Sequence, residues 1–264
     1  MVVAAREEGE MESCRHRPDR GDGRRSAREY LMATYLICHG AWAGNWAWKR
    51  IRDLLRTENH EVLVPTYTGL GERAHLANPL VDLETHIQDV RNVIEYENLT
   101  DIILVGHSYG GMVATGIADR IPERIRQMIY VDAFVPQDGE SLYDLSGGES
   151  SFAASVEGWL IPPVALAPDT SPEDIAWTTP LRRHQPVRTF SQRLRLSHAT
   201  PPCPRAYIHC TRKPNKDFFR QFADRFSQNP AWAFHGIDAS HSPNITDPHL
   251  LAQLLLSYAP APLP

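Results

Sequence analysis

Cysteine is scarce in this chain of 264 residues: only Cys14, Cys38, Cys203 and Cys210 occur, and no two have C-x-x-C spacing. A chain this long does not depend on disulfide staples, so a reducing, cytoplasmic setting is expected. Long apolar runs are missing too. None approaches the roughly 18 residues of a membrane span. A basic excess is also absent: 27 Lys and Arg face 32 Asp and Glu, for a net charge of −5. That balance gives no footprint for nucleic acid or an anionic membrane surface. Residues 1–31 lack the apolar stretch of a secretory signal and carry too many acids, Glu7, Glu8, Glu10 and Glu12 among them, for a transit peptide. They read as a disordered tail, or as a segment upstream of a functional start at Met32, because nothing in them can bury a core.

What is present is regular. Hydrophobic residues make up 42% of the chain, enough for a folded core. From residue 33, short β-branched runs alternate with amphipathic stretches. Strands are predicted at 33–38, 61–65, 101–105, 127–131, 205–210 and 231–235. Helices are predicted near 45–58, 83–97, from 109, near 216–227 and at 247–258. Strand–helix alternation with short connections implies an α/β domain, a mostly parallel sheet with helices on both faces. Residues 139–200 interrupt the rhythm with Pro162, Pro163, Pro168, Pro172, Pro180 and Pro186 and no clear strand. An insertion of that length is read as a cap over the carboxyl ends of the strands. The domain plan is therefore a tail at 1–31, a core at 32–138 and 201–264, and a cap insertion at 139–200.

The chemistry is concentrated in Gly106-His107-Ser108-Tyr109-Gly110-Gly111, between the apolar run 102–105 and a helix. A G-x-S-x-G between a buried strand and a helix forms a nucleophile elbow: the tight turn holds the serine in a strained conformation and lifts its hydroxyl clear of the sheet. Ser108 is the candidate nucleophile. His39-Gly40-Ala41-Trp42 follows the first strong strand, and the N–H groups of Ala41 and Tyr109 are the candidate oxyanion hole. The general base belongs in a loop after the last strand, where His241 stands; a histidine can take and return a proton near neutral pH. His60, His75, His198 and His249 read as surface residues.

The segments HGAWAGNWAWKRI, PTYTGLGERAHL, GHSYGGMVATGIADRIPERI and YVDAFVPQDGES carry a family resemblance. They are similar to the esterase branch of the α/β-hydrolases related to plant hydroxynitrile lyases, salicylate-ester esterases and bacterial pyrethroid hydrolases. The likeness is strong over residues 33–139, moderate over 203–258 and weak in the cap. It implies the α/β-hydrolase fold, a Ser/His/acid triad, no metal or organic cofactor and a small-molecule ester substrate. The acid departs from the pattern. Where that family has an Asp after the strand ending at Cys210, this chain has Arg212 or Lys213, and a cation cannot orient an imidazolium. Asp132, at the end of strand 127–131, is the best replacement, because some other α/β-hydrolases place their acid there. Asp217 is the second candidate, and Asp238 reads as a loop-ordering residue.

Trp42, Trp159 and Trp177 are the candidate substrate-binding aromatics. Arg182, Arg183, Arg188, Arg193 and Arg195 form a basic stretch read as a solvated face or as partners for acids near Glu140 and Glu149. The reading is hydrolysis of a small, largely apolar carboxylic ester through an acyl-enzyme. Two alternatives stand beside it. A lyase or other non-hydrolytic enzyme would share the scaffold, but the hydroxynitrile lyases carry a lysine and a threonine where this chain has Ser242 and Leu36. A slowly turning ligand-binding protein is the other.

Overall fold

The computed structural model describes residues 32–154, 156–198, 203–213 and 217–260; the tail expected at 1–31 lies outside them. Eight strands are present among the described residues: β1 (Thr34–Cys38), β2 (Glu61–Leu63), β3 (Ile102–His107), β4 (Ile125–Val131), β5 (Leu160–Ile161), β6 (Gln185–Pro186), β7 (Arg205–Cys210) and β8 (Trp232–Ile237). Six form one sheet in the order β2-β1-β3-β4-β7-β8, and every pairing in it is parallel.

The strand sequences explain the layering. Along β1, Leu36 and Cys38 enter one buried cluster while Tyr35 and Ile37 enter the other. In β3, Ile102 and Leu104 alternate with Ile103 and Val105 in the same way. Successive side chains point to opposite faces, so a sheet covered on both sides needs strands that are apolar throughout. Helices α1 (Lys49–Thr57) and α9 (Pro248–Leu256) cover one face through Ile51, Leu55, Leu251 and Leu255. Helices α2 (Leu83–Tyr96), α3 (Gly110–Arg120) and α7 (Arg220–Ser227) cover the other. Each fully buried Leu or Ile contributes about 1.5–3 kcal/mol of transfer free energy. The start of α2 is fixed by a capping box: the Asp82 carboxylate accepts the Thr85 N–H at 3.0 Å, and the Thr85 hydroxyl faces the Asp82 N–H at 3.4 Å.

Sheet register carries distant residues to one edge. Cys38 pairs with Gly106, His107 with Val131, and Val131 with Ile208. The residues that follow these strands, 39–42, 108–109, 132 and 211–213, therefore emerge side by side at the carboxyl edge.

Some local expectations change. The segment 45–48 forms a 3-10 turn before α1, and the helix expected near 216 begins at Arg220. The interval read as lacking strands contains β5 and β6, which pair antiparallel. Its helices are short: α4 (Leu142–Ser146), α5 (Pro172–Thr178) and α6 (Arg188–Ser191), while α8 (Pro243–Thr246) precedes α9. The basic stretch is largely absorbed by acids, with Arg188 facing Asp82, Arg193 facing Asp144 and Arg195 facing Asp138. Asp138 and Asp144 flank Glu140, as expected of that acidic stretch, while Asp82 lies outside it. His60 is buried, not exposed: its Nδ1 accepts the Ala33 N–H at 3.3 Å.

Candidate active site

Ser108 sits at the turn between β3 and α3 with φ +55°, in the left-handed region. Such a conformation costs of order 1–3 kcal/mol, so the surroundings must impose it. They do so by crowding. A Cβ at Gly110 would lie 2.0 Å from the Cys38 carbonyl oxygen, and one at Gly111 would lie 2.1 Å from that of Phe134. Only glycine lets the helix start press so closely on neighbouring backbone. The Ser108 carbonyl accepts the N–H groups of Gly111 and Phe134, both at 3.1 Å.

His241, between β8 and α8, places Nε2 3.0 Å from Ser108 Oγ. Its Nδ1 is 2.6 Å from Asp132 Oδ2. The structure thus brings Ser108, His241 and Asp132 into one bonded line. Asp132 is fully buried and has φ +44°. Its Oδ1 accepts the Cys210 N–H at 3.2 Å, and Lys213 Nζ also donates to Oδ2. Burial pushes this carboxyl upward, but the hydrogen bonds and positive charge from His241 and Lys213 outweigh it and hold it below the ordinary carboxylate value. Asp217 is elsewhere engaged. Its Oδ2 pairs with His209 Nε2 at 3.0 Å, and its Oδ1 accepts the Phe219 N–H at 2.9 Å. Asp238 is exposed and bonded to Arg212.

Two side chains that motif reading passed over hold His241 in place. Phe219 stacks on the His241 ring, with centroids 4.7 Å apart and planes 12° from parallel. His107 Nε2 donates to the His241 carbonyl at 2.7 Å. Burial lowers His107 to about 3, so it is a neutral imidazole at physiological pH. Its position beside the serine was a usable signal; its direction was not readable from spacing.

The candidate oxyanion loop is built from β1. The Tyr67 N–H donates to His39 Nε2 at 3.3 Å, which leaves the proton on Nδ1 to bond the Gly40 carbonyl at 2.8 Å. Burial lowers His39 to about 4, keeping that ring neutral. In a trans peptide the C=O and N–H point in opposite directions. Pinning the Gly40 oxygen therefore turns the Ala41 N–H away from His39. Tyr109 is held from below, its hydroxyl donating to His86 Nδ1 at 2.8 Å while His86 Nε2–H donates to the Thr68 carbonyl at 3.0 Å. Trp42 has φ +60° and is clamped by residues 161, 183 and 185. Its N–H donates to Gln185 Oε1 at 3.1 Å, its carbonyl accepts the Arg183 N–H at 3.1 Å, and its indole donates to the Ile161 carbonyl at 3.1 Å.

These groups open onto a cavity of about 430 Å³. Its walls are mainly aromatic and aliphatic, among them Trp42, Phe134, Phe152, Phe190 and Phe219. Of the three candidate tryptophans only Trp42 lines it. Trp159 turns its indole to Glu157, and Trp177 packs edge-on against Trp46 and under Arg50. Trp46 and Trp48 take the wall positions instead. Among the described residues, the indole nitrogens of both and Asn244 Oδ1 are buried without a hydrogen-bond partner.

A parallel sheet with a strained serine between β3 and α3, bonded to a histidine after β8, defines a hydrolase scaffold. Residues 35–254 match the alpha/beta hydrolase family model, and the chain belongs to that family. A carbendazim-hydrolyzing esterase of a Nocardioides species is 56% identical over 114 residues, which span 43% of this chain and 47% of that relative. Methylesterase 2 of Arabidopsis thaliana is 24% identical over 264 aligned positions, covering 85% of this chain and 95% of that one. Among solved structures, an extracellular α/β-hydrolase from a Paenibacillus species superposes with a TM-score of 0.75 at 26% identity, covering 87% of this chain and all of that one. That protein is described as sharing structural and functional homology with tobacco salicylic acid binding protein 2.

Proposed function

We propose that this protein hydrolyses a small, largely apolar carboxylic ester through an acyl-enzyme. The observation that carries the reading is the bonded line Ser108–His241–Asp132 opening onto the aromatic cavity. Ser108 Oγ attacks the ester carbonyl as His241 Nε2 takes its proton. Asp132 holds the imidazole in the tautomer that leaves Nε2 free, and steadies the imidazolium as it forms. The Ala41 and Tyr109 N–H groups receive the oxyanion. His241 then protonates the departing alcohol and activates the water that releases the acid.

The cavity volume lies in the range of small-molecule sites. Flat aromatic walls favour a planar acyl or alcohol group. Relatives named as esterases and methylesterases support ester cleavage. Ser242 is on the cavity wall, where a cyanide-releasing lyase of this scaffold would need a cation. Segment 139–200 acts as the cap that sets specificity. The three described cysteines are unpaired, in keeping with a cytoplasmic enzyme, and no helix among the described residues is long and apolar enough to cross a membrane.

The test is a panel of p-nitrophenyl esters and aryl methyl esters with purified protein, alongside a fluorophosphonate probe. Turnover of short or aromatic esters, with labelling mapped to Ser108 and lost in Ser108→Ala, is expected. The substitution should lower kcat by on the order of 10⁴ or more. Labelling that persists in Ser108→Ala, or no ester turnover at all, would overturn the reading.

A further inference from the structure

Lys213 stands where the sequence seemed least suited to a triad, after β7, and its ammonium donates to the same Asp132 oxygen that receives His241 Nδ1–H. It is mostly buried, borders the cavity, lies 5.0 Å above the Phe219 ring and reaches Asp217 Oδ1 at 4.0 Å. We infer that Lys213 is a positioning residue that sets the acid limit of activity, by sharing Asp132 Oδ2 with His241 and so weakening proton uptake by the Asp132–His241 couple.

The sign follows from charge. With His241 neutral, the Asp132 carboxylate and the Lys213 ammonium balance. A proton added to the couple places a second cation on the oxygen that already holds one, and that oxygen belongs to a fully buried carboxylate, where such repulsion is weakly screened. Removing the ammonium therefore lets the couple hold its proton to higher pH, whichever partner carries it.

The other groups around the couple do not supply this cation. From β3, Ser108 is uncharged and His107, its ring 5.0 Å from that of His241, is kept neutral by burial. Beyond β7, Arg212 turns outward to Asp169, Asp238 and Asp247, and Asp217 is bonded to His209 and to the Phe219 amide. Just before α7, Phe219 covers the imidazole with an apolar face. On the cap, Arg182 donates to the Val164 carbonyl at 2.7 Å.

The rate measurement rests on the esterase reading above; the titration of the couple does not. Wild type, Lys213→Met and Lys213→Arg are compared in two ways. The first is kcat/KM for p-nitrophenyl acetate between about pH 5 and 9. The second is the midpoint of the His241 signal in ¹³C-histidine-labelled protein, assigned by its loss in His241→Gln. In Lys213→Met, both the acid limb and the midpoint are expected to move upward by about 1 pH unit, the low end of what a charge within 4–6 Å imposes. In Lys213→Arg they should stay near wild type. Should Lys213→Met not fold, Lys213→Gln is read in its place. A midpoint in the folded neutral variant that coincides with wild type overturns the inference, and so does Lys213→Arg shifting as far as Lys213→Met. Absence of ester turnover with a shifted midpoint would overturn the esterase reading while leaving the role of Lys213 in place.

Discussion

The side chain of His107 and the backbone of His241 are joined by a 2.7 Å hydrogen bond, so the residue before the candidate nucleophile fixes the loop that carries the candidate base. Their rings lie 5.0 Å apart. His107→Phe keeps a flat ring but leaves the His241 carbonyl unpaired. Loop placement should loosen, with kcat falling roughly 10- to 100-fold, as small misplacements of catalytic groups do. Fluorophosphonate labelling should slow without changing site. Steady-state kinetics on folded protein checks this; a kcat within twofold of wild type would remove His107 from the design.

Asp132 and Asp217 can be told apart by paired substitutions. Asp132→Asn keeps shape but favours the wrong imidazole tautomer, a change that costs about 10⁴ in kcat in the serine-protease template. Asp217→Asn should change kcat little, because its partners are His209 and the Phe219 amide. Turnover at saturating substrate, with circular dichroism to confirm folding, decides. Collapse in Asp217→Asn with near-normal Asp132→Asn would reverse the assignment.

Gln185 is fully buried; its Oε1 accepts the Trp42 N–H from the loop after β1, and its Nε2 donates to the Thr189 hydroxyl. Gln185→Leu leaves the Trp42 N–H without its side-chain partner, while the Thr189 hydroxyl keeps the Pro186 carbonyl, and should cost about 1–3 kcal/mol of stability. The slackened loop should also lower kcat about tenfold or more. Thermal melts and kinetics on the same sample test both effects. A variant that loses stability with unchanged kcat would show that Trp42 is held well enough by its other two bonds.

Buried histidines give the fold a pH dependence. Burial lowers His39 to about 4, and His86 and His107 to about 3, from an ordinary value of 6.5. Below about 6.5 the unfolded chain takes up protons that the folded one refuses, so this stability is complete above that pH and is lost as pH falls toward 4 and 3. Each such proton is worth about 1.4 kcal/mol per pH unit. Between about pH 6.5 and 5 the Tm should therefore drop by on the order of 10 °C. The depressed Asp132 acts in the same direction, at lower pH. Melting curves across this range test the point; a flat Tm would mean that the histidines already charge in the folded state.

The alternation of apolar runs and amphipathic stretches was enough to lay out the sheet, because parallel strands covered on both faces must be apolar throughout. The elbow and the loop of His241 were legible for a related reason: each is a short motif next to a strand whose position the pattern fixes. Asp132 is legible from its place at the end of β4, where some other α/β-hydrolases carry their acid. The contact of Lys213 with Asp132 is not legible, because spacing does not show that a long side chain folds back onto a neighbouring strand's carboxylate. Trp159 and Trp177 failed as wall residues because aromatic content in a cap does not say which face turns inward. His60 read as a surface residue because it ends a helical connection, yet it seals the start of β1.

The three bonds on Trp42 make the proposed roof, segment 139–200, and the candidate oxyanion loop one mechanical unit. An ester bulky enough to lift the roof would pull on the backbone beside Ala41, and so spoil the receptor for charge in the act of entering. Size selection is then expressed in the chemical step as well as in occupancy. Across a series of lengthening esters, kcat should fall once the roof begins to yield, even where KM still improves with added apolar surface.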